Sequence, residues 1–331
     1  MKSIFLTQKK ENIKKVYHPD TISEIKKHTD IDDVCYTKED VIKGGFEDTE
    51  YIFSTWGMPE FTENEIDKHL PNLKCIFYSA GTVQYFARPF ITKGIKVFSA
   101  WAANAVPVAE YTVAQIILSN KNFYQNSHYM SEGNITKAKE VQSKIYGNYN
   151  AKIGIIGAGM IGKMVINMLK SFKLDILVFD PFLPDEKAEE LGVKKCSLEE
   201  IFSSCNVISN HLANNEKTKG MLNKSLFEKM LPYSTFINTG RGAQVVEDDL
   251  CDVLKERDDI TAVLDVTFPE PPMEGHLFYS LPNCYLTKHI AGSLGNEMYR
   301  MSEYMKDEFV LYKNNQPTNY EVTEKMLETM A

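Results

Sequence analysis

Three short segments in the last third of the chain carry side chains suited to moving protons and holding carboxylates. Asn238-Thr239-Gly240-Arg241-Gly242 sets an arginine between glycines. Ala262-Val263-Leu264-Asp265-Val266 leads into Phe268-Pro269-Glu270-Pro271. Tyr285-Leu286-Thr287-Lys288-His289-Ile290-Ala291-Gly292 ends an apolar run in a histidine. A guanidinium offers a planar pair of N–H donors that matches a carboxylate. An imidazole gives or takes a proton near neutral pH. A carboxylate on its second ring nitrogen fixes the tautomer. These types fit the interconversion of a 2-oxo acid and a 2-hydroxy acid. Arg241 would hold the substrate carboxylate, His289 would be acid in reduction and base in oxidation, and Glu270 would orient His289.

That reaction needs a hydride donor, and residues 153–162 point to one. They read Ile-Gly-Ile-Ile-Gly-Ala-Gly-Met-Ile-Gly, which contains G-x-G-x-x-G at Gly157, Gly159 and Gly162. An apolar strand precedes the glycines. A helical stripe follows, with Ile161, Met164, Val165, Met168, Leu169 and Phe172. Gly157 permits a tight turn. Gly159 lets the backbone, with Met160 and Ile161, approach a pyrophosphate. Gly162 lets helix and strand pack closely. Asp180 ends the next apolar run, roughly 20 residues past the first glycine, where a carboxylate can accept from the adenosine ribose hydroxyls and repel a 2′-phosphate. The expected cofactor is NAD rather than NADP, and no metal is expected.

Positioning these groups takes a particular scaffold. Apolar runs at 3–6, 33–36, 51–54, 73–79 and 95–99 alternate with helical patterns such as Glu63 to His69. A second series follows at 152–156, 175–180, 206–210, 235–239, 260–265 and 284–287. Such alternation implies α/β architecture with parallel sheets, whose ligands bind at the carboxyl ends of the strands. Between the series, Asn104 would cap a long helix with Pro107 in its first turn. Residues 120–150 are polar and read as a surface excursion and a candidate subunit contact. After Asn296 an amphipathic helix puts Met298, Met301, Met305 and Phe309 on one stripe.

Composition excludes other classes. The 331 residues are 43% hydrophobic and 25% charged, ordinary for a folded chain of about two domains. Lys+Arg number 37 against Asp+Glu 45, a net charge of −8, with no basic run to track a nucleic acid. No stretch approaches the ~20 apolar residues of a membrane span. The six cysteines show no C-x-x-C pair and read as reduced thiols, so a cytoplasmic protein is expected.

These motifs give the chain a resemblance to the NAD-dependent D-2-hydroxyacid dehydrogenases. The likeness runs through Ser79-Ala80-Gly81, Asn104 to Glu110, the glycine fingerprint with Asp180-Pro181, and Ser209-Asn210-His211. It continues through Asn238 to Gly242, Asp265, Glu270-Pro271, His289 to Gly292 and Pro317-Thr318-Asn319. It implies that Arg241, Glu270 and His289 are catalytic. It implies that Asp265 holds the nicotinamide carboxamide, that His211, Thr239 and Gly240 lie on the cofactor side, and that Ser79, Ala80 and Gly81 bind the substrate carboxylate through backbone N–H groups. The implied fold is two doubly wound domains, a Rossmann NAD-binding domain (104–294) inserted into a flavodoxin-like substrate domain (1–103 and 295–331). A homodimer and closure of the domains over the ligands are expected with it.

Some positions depart from that pattern: Ala213 and Lys288 stand where prolines are common, and Gln84 where an aspartate is. They bear on substrate rather than on reaction type. The loop Ser54-Thr55-Trp56-Gly57-Met58 follows an apolar run and carries no Lys or Arg. Trp56 and Met58 are expected to meet the substrate's side chain, favouring uncharged 2-oxo acids. Two other readings stay open: an NAD(H)-sensing corepressor-like binding protein, and a Rossmann methyltransferase, which would leave Arg241, Glu270 and His289 without a task. Formate dehydrogenases share the fold, but usually carry glutamine at the position of Glu270.

Overall fold

A computed structural model describes residues 2–328. The chain divides into two compact units, Met1–Ala105 with Ser293–Ala331, and Val106–Gly292.

In the first unit the strands are β1 (Ser3–Leu6), β2 (Cys35–Tyr36), β3 (Tyr51–Ser54), β4 (Cys75–Tyr78) and β5 (Lys96–Ser99). Between them run α1 (Glu11–Val16), α2 (Pro19–Lys26), α3 (Lys38–Lys43), α4 (Glu63–His69) and α5 (Ala87–Thr92). The sheet order is β2-β1-β3-β4-β5, with every neighbour parallel. Register sorts side chains into two rows, because successive residues of a strand face opposite sides. Ile4, Ile52, Ile76 and Val97 align on the face covered by α3, α4 and α5. Phe5, Phe53, Phe77 and Phe98 align on the other. That aromatic row stacks, with Phe77 and Phe98 centroids 4.9 Å apart. Burying each such ring contributes about 1.5–3 kcal/mol.

The second unit holds β6 (Lys152–Ile156), β7 (Asp175–Phe179), β8 (Lys194–Lys195), β9 (Val207–Asn210), β10 (Thr235–Asn238), β11 (Thr261–Leu264) and β12 (Cys284–Leu286). Its helices are α6 (Trp101–Ser119, which begins in the first unit), α7 (Phe123–Ser131), α8 (Ile135–Ser143), α9 (Met160–Leu169), α10 (Asp185–Leu191), α11 (Leu198–Ser204), α12 (Lys224–Phe227) and α13 (Glu247–Glu256). The parallel sheet runs β12-β11-β10-β9-β6-β7-β8. One core lies under α11 and α13, the other under α6 and α9. Each sheet is thus covered on both faces, the doubly wound arrangement. The last helix, α14 (Glu297–Lys313), returns to the first unit and places Met301, Met305 and Phe309 on the aromatic row.

Local readings differ in several places. The long helix starts at Trp101, so Pro107 sits inside it rather than in its first turn. Asn104 is no cap: its N–H already donates to Ala100, and its side chain accepts from the N–H of Ser293 at 2.9 Å. Residues 120–150 are largely a helical pair, α7 and α8, whose apolar Phe123, Met130 and Ile135 are exposed while Ala138 and Val141 are buried. The short edge strand β8 consists of two lysines and gives no apolar signal. Phe172 lies beyond the end of α9 and is exposed.

Candidate active site

In a doubly wound sheet the crevice for a ligand opens where the strand order reverses. In the second unit this is between β6 and β9. There Gly157, at φ +94°, crosses beneath the chain leaving β9, and a Cβ on it would lie 2.7 Å from the carbonyl oxygen of His211. Gly162 faces the same turn, since its Cβ would come 2.1 Å from the carbonyl oxygen of Gly157. A Cβ on Gly159 would meet nothing within 4 Å. The glycine turn is therefore closed on its protein side and open above Gly159. There the first-turn N–H groups of α9, including Met160 and Ile161, have no partner within their helix. This geometry fits a dinucleotide pyrophosphate.

Asp180 serves this turn directly. Its Oδ2 accepts the N–H of Ala158 at 2.7 Å, and its Oδ1 accepts that of Phe182 at 2.8 Å. Each oxygen retains a second lone pair for ribose hydroxyls. His211 lies across the switch point, with its Nε2 2.9 Å from the Ser209 hydroxyl. Its Nδ1 is buried without a partner among the described residues. Burial pushes the His211 pKa down to about 4, so its ring is neutral at pH 7.

β10, β11 and β12 are neighbours, so their ends deliver three polar groups to one edge. After β10, Thr239 is buried with its hydroxyl 3.2 Å from that of Thr112, and Arg241 follows Gly240. Three buried amides hold this loop, and sequence reasoning gave none of them a positioning role. Asn210 donates to Asn238 Oδ1 at 3.0 Å and to Gln244 Oε1 at 2.6 Å. Asn238 donates to the carbonyl of Arg241 at 3.2 Å, and Gln244 accepts the N–H of Arg241 at 3.1 Å. Gln244 also donates to Leu212 and Ala213, tying the loop after β9 to the loop after β10. Asn210 and Asn238 stood inside recognised motifs; Gln244 carried no signal beyond its distance of one helical turn from Arg241. Gly242 is confined too, because its Cβ would lie 2.0 Å from the backbone carbon of Thr267. The Arg241 side chain gives one N–H to the carbonyl of Gly240 at 2.7 Å. Burial pushes its pKa down, and the charge of Glu270 opposes that shift.

His289 Nδ1 lies 2.8 Å from Glu270 Oε1, with both side chains partly exposed. His289 takes a left-handed backbone conformation, φ +52°, which costs a non-glycine residue energy unless neighbours impose it. Asp265 imposes it. Its carbonyl accepts the His289 N–H at 2.9 Å, its Oδ1 accepts from Ile290 N–H and the Thr287 hydroxyl, and its Oδ2 accepts from Ala291 N–H. Asp265 is buried beneath the turn it shapes, a role that its motif did not disclose.

In the first unit the strand order reverses between β1 and β3. Trp56, after β3, has its carbonyl held by the Thr7 hydroxyl and the Asn12 amide, and the residue is 37% exposed. Met58 is 2% exposed and packs in the core, so it is not available to a substrate as expected. Strand pairing instead brings a basic neighbour that the linear sequence hid: a Cβ on Gly57 would lie 3.3 Å from Cγ of Lys9, from the loop after β1. The turn at Ser79 also departs from expectation. Ser79 N–H donates to Ser54 and Ala80 N–H to Tyr78, so of the trio only the Gly81 N–H has no internal acceptor among the described residues. Three hydroxyls that sequence reasoning missed fix this turn. Tyr17 accepts from the Ser79 hydroxyl, Thr55 donates to Ser79 carbonyl, and Ser99 donates to Ala80 carbonyl.

The sequence pattern of the D-isomer specific 2-hydroxyacid dehydrogenase NAD binding domain matches residues 113–291, more than half of the chain. A D-3-phosphoglycerate dehydrogenase of Archaeoglobus fulgidus is 31% identical over 201 residues, which cover 61% of this chain and 38% of that protein. A formate dehydrogenase of Chaetomium thermophilum is 30% identical over 221 residues, covering 64% of this chain and 60% of that one. The matches thus span less than two thirds of these relatives. In fold, the chain superposes on the apo D-mandelate dehydrogenase of Rhodotorula graminis with a TM-score of 0.81, 17% identity and 98% of each chain covered. By the glycine turn at its switch point and the match over residues 113–291, the chain belongs to the D-isomer-specific 2-hydroxyacid dehydrogenase family, and its second unit is an NAD-binding domain.

Proposed function

We propose that the chain is an NAD-dependent oxidoreductase interconverting a D-2-hydroxy acid and its 2-oxo acid. The observation that carries this reading is the Glu270–His289 pair, 2.8 Å apart at two neighbouring strand ends, with the charge of Glu270 also felt by Arg241. Bound NADH supplies the hydride that reaches C2 of the oxo acid. Arg241 holds the substrate carboxylate through its remaining guanidinium donors. Nε2 of His289 gives a proton to the carbonyl oxygen as C=O becomes CH–OH, and takes it back in the oxidation. Glu270 accepts from Nδ1–H and so holds that proton in place, leaving Nε2 as the nitrogen that gains and loses the transferred proton. In the first unit, the Gly81 N–H is the backbone donor this reading assigns to substrate.

The cofactor contacts in this reading are Gly157, Gly159, Met160, Ile161, Gly162, Asp180, His211, Thr239, Gly240 and Asp265. The six free thiols suit a reducing compartment such as the cytoplasm. A homodimer would cover the exposed apolar side chains of α7 and α8, which line a groove of about 600 Å³. Light scattering at micromolar concentration tests that assembly.

The deciding experiment is NADH oxidation across a panel of 2-oxo acids. Turnover that yields the D-hydroxy acid supports the reading. Tight NADH binding with no turnover of any member would favour a cofactor-sensing protein instead.

A further inference from the structure

Glu247, the first residue of α13, takes no part in the contacts assigned above to cofactor, substrate or proton transfer. Its side chain is 11% exposed, and its Oε1 accepts the backbone N–H of Phe268 at 2.7 Å. Phe268 stands two residues before Glu270. The other oxygen, Oε2, lies 4.0 Å from Nε2 of His276, farther along the same segment. His276 in turn accepts the Phe278 N–H on its Nδ1, so Nε2 is the nitrogen left to face Glu247. One carboxylate therefore touches the segment bearing Glu270 on both sides of that residue.

We propose that Glu247 is a positioning residue, which clamps residues 268–276 through Phe268 N–H and His276 and so sets the reach of Glu270 to His289. The kinetic part of its test rests on the reaction proposed above; the structural part does not. A carboxylate in the first turn of a helix also favours that helix through its dipole, a purely local benefit. The link to Phe268 and His276 goes beyond that benefit.

The clamp changes charge in the neutral range. Burial, with the adjacent Asp248 adding to it, raises the Glu247 pKa to about 7. The titratable groups around it are Asp248 on its own helix and His276 on the facing segment, with the thiols of Cys251 and Cys284 nearby. Above pH 7 the ionised carboxylate accepts the Phe268 N–H in a charge-assisted bond; below it, the protonated acid is a weaker acceptor.

The test compares the full-length protein with Glu247→Ala, Glu247→Gln and Asp248→Asn. Amide hydrogen exchange in 266–277 should rise about tenfold in Glu247→Ala, one lost charged hydrogen bond's worth. Exchange in α9 should not change. In NADH oxidation, kcat should fall by a similar factor while the KM for NADH stays within about twofold. The kcat limb near pH 7 should vanish in Glu247→Gln and move to lower pH in Asp248→Asn. If Glu247→Ala does not fold, the Gln variant, which keeps the volume and one acceptor oxygen, carries the test with Asp248→Asn. Unchanged exchange in 266–277, or a Glu247→Gln pH profile that overlays the wild type, would overturn the clamp. If the wild type reduces no 2-oxo acid, the reaction reading fails and the exchange comparison alone decides the clamp.

Discussion

Nδ1 of His289 sits 2.8 Å from Oε1 of Glu270, although 19 residues separate them in the chain. Two adjacent strand ends and the buried Asp265 beneath the His289 turn hold that distance. Replacing His289 by Ala should lower kcat by about 10²–10⁴, the usual contribution of a positioned acid–base group. NADH affinity, read by fluorescence titration, should stay near the wild-type value. Glu270→Gln should displace the pH–rate profile more than it weakens binding. Wild-type turnover in His289→Ala would remove the role.

Asp180 has two tasks, and substitution should expose both. NAD should be used in preference to NADP by on the order of a hundredfold, since a 2′-phosphate would face a carboxylate. Asp180→Ala should narrow that ratio. Because Oδ2 also holds the Ala158 N–H, the same variant should raise the KM for NAD itself. Steady-state kinetics with both cofactors measure this; equal use by the unmodified protein is the contrary result.

The buried His211 predicts how stability changes with acid. Its folded pKa of about 4 lies below the ordinary histidine value of 6.5. The unfolded chain therefore takes up the proton first as pH falls. This contribution is fully present above pH 6.5 and is lost as pH falls through 4, in total on the order of 3 kcal/mol. Glu247 acts in the opposite sense. Its folded pKa of about 7 lies above the ordinary 4.5, so its contribution is present below 4.5 and lost as pH rises through 7. The two partly cancel in the wild type, so the variant must be compared with it. In urea unfolding without cofactor, His211→Gln should gain relative to the wild type between pH 7 and pH 4.5. Parallel pH dependences would count against the assignment.

Much of this site could be read from the linear chain because its groups sit at strand ends, where a glycine or a polar residue interrupts an apolar run. Gly157, Asp180, Arg241 and His289 are of that kind. Glu270 was legible from the prolines around it. What stayed hidden depends on contacts between distant segments. Gln244 looks like an ordinary loop amide until Asn210 and Leu212 are folded onto it. Lys9 is an unremarked surface lysine until β1 and β3 pair and set it beside Gly57. Met58 was misjudged because an apolar residue after a strand can turn inward as readily as outward. The helices α7 and α8 were missed because their larger apolar side chains face outward, against the usual pattern.

Substrate choice should follow the exposed Trp56. Uncharged 2-oxo acids should outperform 3-phosphohydroxypyruvate, and Trp56→Ala should reorder the panel rather than silence every member. Lys9→Ala should leave the order among uncharged acids unchanged. A strong preference for the phosphorylated acid that disappears in Lys9→Ala would reverse this view, and competition assays across the panel would reveal it.

The return of α14 to the first unit has a consequence for synthesis. Met301, Met305 and Phe309 cover the row formed by Phe5, Phe53, Phe77 and Phe98, so residues near both ends of the chain share one core. Residues 106–292 are continuous and can complete their sheet while still close to the ribosome. Residues 1–105 are synthesised earlier, yet the part of that aromatic row covered by α14 stays open until residue 309 has emerged. The nascent chain thus exposes apolar surface for a period whose length is set by the size of the inserted unit.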